Sequence, residues 1–181
     1  MSEKNERDEF AQRMEDAYHR MLGRVKTALE DVERDARPTV DKAIDQAKET
    51  ATELNELTRE EAEKIAGYMR KDLHDAADFV SETGRDLRDW LRFDLEAAEY
   101  GLGDIFLRVV DRTRLEIENF ASRADALGEW HNGEITGIGT LECKGCGELL
   151  HFHKVGHIPP CPKCHGTRYR RVSHRDDFER K

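Results

Sequence analysis

Membrane spans, secretory leaders and catalytic signatures are all missing from these 181 residues. No apolar run approaches the ~20 residues needed to cross a bilayer. The opening Met-Ser-Glu-Lys-Asn-Glu-Arg has no apolar leader core. A phosphate-cradling glycine loop, a His-Glu-x-x-His helix and a nucleophile elbow are likewise absent. The chain is therefore expected to stay off the membrane and not to be an enzyme. Proline and cysteine occur four times each, and most of the 13 glycines follow residue 127. What abounds is charge, at 38% of residues against roughly 25% in an average globular protein. With 37% hydrophobic residues, dense periodic charge favours long solvated helices over one large core.

That charge is divided unevenly. Residues 1–128 carry 21 Lys/Arg against 32 Asp/Glu, whereas residues 129–175 carry seven against four. An acidic body repels phosphates and disfavours nonspecific duplex binding, but it suits a basic protein surface.

Apolar residues in the first part recur in steps of three and four. Met14, Tyr18, Met21 and Val25, widened by Leu22 and Leu29, mark a helix over about 3–35. Arg37-Pro38 ends or kinks it, and Val40, Ile44, Ala47, Ala51 and Leu54 resume the pattern over about 38–56. Thr58-Arg-Glu-Glu61 is a capping box opening a helix over about 59–80. After an interruption at Ser81–Gly84, Leu87 to Leu127 extend the spacing over about 85–127. The expectation is an α+β protein: long antiparallel helices, as a coiled-coil-like hairpin or bundle, followed by a small β zinc ribbon. The acidic helical region is placed at 1–127, the ribbon at 128–175 and a charged tail at 176–181. The helical stripes could close within one chain or pair copies into a homo-oligomer.

From residue 128 glycines alternate with short apolar segments, as in strands joined by tight turns. Here lie all the cysteines, as Cys143-Lys-Gly-Cys146 and Cys161-Pro-Lys-Cys164, with fourteen residues between the pairs. That is zinc-ribbon spacing, in which two turns each present two sulfurs to one ion. Gly147 suits the positive-φ position after the first pair. A β-domain this small needs such a staple, and structural zinc supplies on the order of 10–16 kcal/mol in comparable peptides. One structural Zn2+ is expected. Iron in a rubredoxin-like site, implying a redox carrier, and a dithiol–disulfide pair are the competing chemistries. His151, His153, His157 and His165 lie nearby as strand or loop residues, or as hydrogen-bond donors to the centre. Cysteines confined to metal-type pairs fit a reducing cytoplasm.

Two further patterns stand out. Arg168, Arg170, Arg171 and Arg175 form a basic run around Tyr169, suited to RNA, DNA or another anionic partner, or to a charged edge strand. Strand alternation would set Arg168 and Arg170 opposite Tyr169 and Arg171. Asp72-Leu-His-Asp75-Ala-Ala77 resembles the coiled-coil tip motif of DksA-type transcription factors, which act on RNA polymerase and also carry a four-cysteine finger. An ordinary solvated helix face would give the same pattern.

Glu56-Leu-Thr-Arg-Glu, Arg70-Lys-Asp-Leu73, the run His131 to Cys143 and Ile158-Pro-Pro-Cys-Pro-Lys-Cys164 together resemble the YbeL-like family of bacterial zinc-ribbon-containing proteins, itself largely uncharacterised. The resemblance covers roughly residues 17–172. It implies a bacterial cytoplasmic protein with a helical body, and it carries Cys143, Cys146, Cys161 and Cys164 over as ligands. The function expected is that of a non-enzymatic zinc-binding interaction protein docking on a protein or nucleoprotein assembly. The polymerase regulator and the redox carrier stand as alternatives.

Overall fold

The computed structural model describes residues 2–30, 39–83 and 129–172. The expected helix over 85–127, Arg175 and the tail lie outside the described residues. Two compact units are present, Met1–Arg70 and Lys71–Lys181, with the boundary inside the third helix.

The first unit contains α1 (Ser2–Glu30), α2 (Val40–Glu53) and the opening turns of α3 (Arg59–Thr83). The threefold–fourfold stripe becomes its core: Tyr18, Met21, Leu22 and Val25 of α1, Ala43, Ile44 and Ala47 of α2, and Ile65, Ala66 and Met69 of α3 are all buried. Helix α2 begins at Val40, two residues later than expected. Thr39 is its N-cap, its hydroxyl accepting from the Lys42 N–H at 3.3 Å. Its C-terminus closes by two reverse bonds, Asn55 N–H to Thr52 O and Glu56 N–H to Ala51 O. Asn55 holds the left-handed position at φ 54 that glycine more often fills. That early stop leaves Leu54 outside the apolar stripe and 59% exposed, contrary to the pattern.

The capping box forms as read. Thr58 Oγ1 accepts from the Glu61 N–H at 3.2 Å, and Glu61 Oε2 accepts from the Thr58 N–H at 2.9 Å. That Thr58 N–H, with the Thr58 hydroxyl and Arg13, outweighs burial and holds the Glu61 carboxyl below its usual range. A depressed carboxylate stabilises fully above its unfolded pKa, and the gain fades as pH falls through the folded value. Thr58→Ala should cost about 1 kcal/mol at pH 7, read from urea unfolding. Its penalty should shrink in acid, where Glu61 loses its charge.

Ion pairs then set the order of the helices. Lys48 meets Glu63 at 2.8 Å, while Arg70 meets Asp45 at 2.8 Å and Asp41 at 3.2 Å. The pairing numbers rise along α3 as they fall along α2. Arg24 grips both oxygens of Glu56, at 2.7 and 3.0 Å. Such half-buried, solvent-screened pairs contribute little energy each, so the buried stripe carries most of the stability. Ser81, Glu82 and Thr83 continue α3 rather than interrupting it.

In the second unit, β1 (Trp130–His131), β3 (Gly139–Cys143), β4 (Leu149–Phe152) and β6 (Arg168–Arg171) make an antiparallel sheet in the order β1-β6-β3-β4. Strands β2 (Ile135–Thr136) and β5 (Gly156–His157) form a second pair. Trp130, Ile135, Leu141, Val155, Ile158 and Tyr169 fill the interior. The described residues thus make an α+β protein, helices plus antiparallel sheets around a cysteine cluster. No described helix is long and apolar enough to cross a membrane.

Candidate metal centre

The β3–β4 hairpin presents the first cysteine pair. Cys143 ends β3, its N–H bonds Glu148 O at 2.8 Å, and the Gly147 N–H returns to Cys143 O at 2.8 Å. Gly147 adopts φ 74, as the turn requires. The second pair lies on the loop before β6 and repeats this closure, the His165 N–H reaching Cys161 O at 2.9 Å. Here the left-handed position falls on His165, at φ 58, and not on the neighbouring glycine. Gly166 has a different task. A Cβ there would lie 3.2 Å from the sulfurs of both Cys143 and Cys164.

All four Sγ atoms lie within 4.8 Å of one another. Cys143 meets Cys164 at 3.6 Å and Cys146 meets Cys161 at 3.6 Å, each contact joining one turn to the other. A disulfide needs about 2.05 Å, and none of the four is so bonded. Sulfurs about 2.3 Å from a central zinc define a tetrahedron with edges of about 3.8 Å. The donor set fits zinc. Among the described residues no histidine joins the cluster; His151 instead pairs Nδ1 with Thr140 Oγ1 at 2.9 Å.

The electrostatics point the same way. Burial opposes ionisation of Cys161, yet the Cys164 and Lys163 N–H groups and the Cys146 and Cys143 thiols bring its pKa down to about 7. The Glu148 N–H favours the Cys146 thiolate, but neighbouring sulfurs and burial push it up to about 12. Four adjacent thiols cannot all ionise without a cation, and a divalent ion supplies that charge when bound. Burial, then the charge of the four sulfurs, pushes the Tyr169 phenol up to about 12. It stays protonated and donates to Pro159 O at 2.6 Å and Gly166 O at 3.2 Å, bracing the second turn. Gly166→Ala should weaken metal binding roughly tenfold by crowding two sulfurs that a metal would fix, about 1.4 kcal/mol. Competition with a chromophoric chelator measures it.

The other residues singled out in the sequence meet different fates. Arg168 is the open one, its side chain 66% exposed, with Glu129 at 4.0 Å. Arg170 leans on Glu142 at 2.6 Å. Arg171, on the opposite face with Tyr169, has a side chain only 6% exposed. It donates to Asp72, to Asp75 at 3.1 Å and to Thr136 Oγ1 at 2.7 Å.

Asp72 likewise does not lie on a solvated face, whereas Asp75 keeps a side chain 24% exposed. Asp72 is 0% exposed. Its Oδ1 accepts from Thr136 Oγ1 at 2.8 Å and its Oδ2 from the Gly137 N–H at 2.7 Å. Asp75 accepts from Trp130 Nε1 at 2.7 Å. Lys71 completes the cluster, donating to Glu129 O and Glu134 at 2.8 Å each, 4.5 Å from the centroid of a Trp130 ring. Lys71, Trp130 and Glu134 were given no individual role in the sequence, where nothing ties them to each other.

Comparison with known proteins agrees with this centre. A family model described as a zinc-ribbon containing domain matches residues 27–173. The uncharacterized protein YbeL of Escherichia coli strain K12 is 29% identical over 160 residues, covering 85% of this chain and 92% of its own. The YbeL proteins of strains O6:H1 and O157:H7 match to the same extent. No solved structure matches. With both cysteine turns inside the matched region, the chain belongs to the YbeL-like family of zinc-ribbon-containing proteins.

Proposed function

We propose that this chain is a non-enzymatic interaction protein of the cytoplasm, in which antiparallel helices carry a zinc ribbon that docks on a larger protein or nucleoprotein assembly. The observation that carries this reading is the ligand set itself. Four cysteine sulfurs gather around one centre, so a tetrahedral ion is left no position for a water or substrate. Such a centre holds a surface in shape and does no chemistry. The surface it shapes includes Arg168 and Lys163, with side chains 66% and 64% exposed. Burial of Asp72 against Thr136, Gly137 and Arg171 supports the docking reading over a polymerase contact through that residue.

The test is affinity purification of the intact protein from its native cells, followed by mass spectrometry with bound RNA retained. A defined assembly should be recovered with wild-type protein and lost with Arg168→Glu. Recovery undiminished by that change would remove the ribbon from the interface. Metal analysis belongs beside it: colourless protein containing zinc fits the proposal, whereas a coloured iron site would turn the reading towards electron transfer.

A further inference from the structure

Strand β6 touches both the metal centre and a helix, by neighbouring residues on one face. Tyr169 lies opposite Cys143 in the sheet register and braces Pro159 and Gly166 around the second cysteine turn. The Lys144 N–H bonds Arg168 O at 3.0 Å and ties β6 to the first turn as well. Two residues beyond Tyr169, Arg171 enters the cluster of Asp72 and Asp75 on α3, with its guanidinium 5.3 Å from Trp130. The same carboxylates take the Trp130 indole N–H, the Thr136 hydroxyl and the Gly137 N–H. Every partner that holds Asp72 and Asp75 among these contacts comes from the ribbon.

Buried charges tolerate only good geometry. Asp72 loses its hydration on docking and recovers it solely through donors placed within hydrogen-bond reach. Displacing Arg171 even slightly would leave a carboxylate buried without its counter-charge. The docked helix is therefore a two-state element, in register or released.

We propose that metal occupancy of the four-cysteine centre controls whether the Lys71–Asp75 part of α3 stays docked on the ribbon, with β6 as the connection. Metal loss frees both cysteine turns, β6 loses its fixed position, and Arg171 no longer neutralises Asp72. The released segment then presents Asp72 to solvent, a carboxylate hidden while the ribbon is docked. By linkage the effect is reciprocal: the factor by which metal favours docking is the factor by which docking favours metal, so weakening the Arg171 contact must weaken metal binding. The inference rests on the metal reading of the proposed function and adds a regulatory consequence to it.

Hydrogen exchange of the full chain, followed by mass spectrometry before and after chelation, tests this. Released metal is measured in parallel. The expected result is metal release accompanied by at least tenfold faster exchange in peptides spanning 71–75, while peptides spanning 40–53 keep their rates. Metal release with residues 71–75 still protected would overturn the coupling and leave the metal site standing. A preparation with no metal to release, yet protected at 71–75, would sink both. Arg171→Met, analysed by metal titration and by exchange, gives the reciprocal measurement. Roughly tenfold weaker metal binding with faster exchange at 71–75 supports the coupling, and unchanged affinity with the helix released refutes it.

Discussion

Replacing Cys161 by serine is expected to unfold residues 129–172 as a block. Strands of two to five residues make up this unit, too short to hold register by pairing alone. Structural zinc contributes on the order of 10–16 kcal/mol in small peptides, which matches or exceeds the total stability of most domains. Cys161 is fully buried, and its backbone N–H also bonds Gly166 O at 2.9 Å. A hydroxyl there keeps the size but removes a thiolate ligand. Amide spectra of the full chain should lose the dispersed signals of 129–172, and metal content should fall. A dispersed, metal-free spectrum would show that packing alone suffices.

Asp72→Ala should cost about 3–5 kcal/mol, the range for leaving a buried charge without its partner. The exposed pairs elsewhere contribute far less: Lys163 and Glu148, 3.5 Å apart with side chains 64% and 39% exposed, mark the contrast. The reason is desolvation, since Arg171 and Asp72 have side chains only 6% and 1% exposed. Alanine removes three hydrogen-bond acceptances at once, from Thr136, Gly137 and Arg171. Arg171→Met should cost a comparable amount. The double variant should fall well short of the sum, because no charge is left stranded. Denaturant unfolding of the four proteins completes that cycle. Additive penalties would show the two side chains act separately.

The cysteine turns were legible because their donors lie three residues apart on rigid local turns, and spacing encodes the geometry directly. The α1 stripe and the Thr58–Glu61 box were legible for the same reason, being local. Asp72 and Arg171 were opaque. Both sit in charge-rich stretches that look solvated, and the contact that buries them joins residues 99 positions apart. No periodicity within either segment records it. The left-handed turn at His165 was not legible, because only the first cysteine turn has a glycine at that position, and Gly166 instead makes room for two sulfurs. Leu54 satisfied the apolar spacing, but helix α2 had already ended before it.

The 99-residue separation of Asp72 and Arg171 also has a temporal side. Chains emerge from the ribosome at roughly 5–20 residues per second. Asp72 therefore waits roughly 5–20 s for the arginine that neutralises it. During that wait Thr136 and Gly137, which also bond Asp72, are made before Arg171. Until β6 is made, that carboxylate has no arginine to neutralise it.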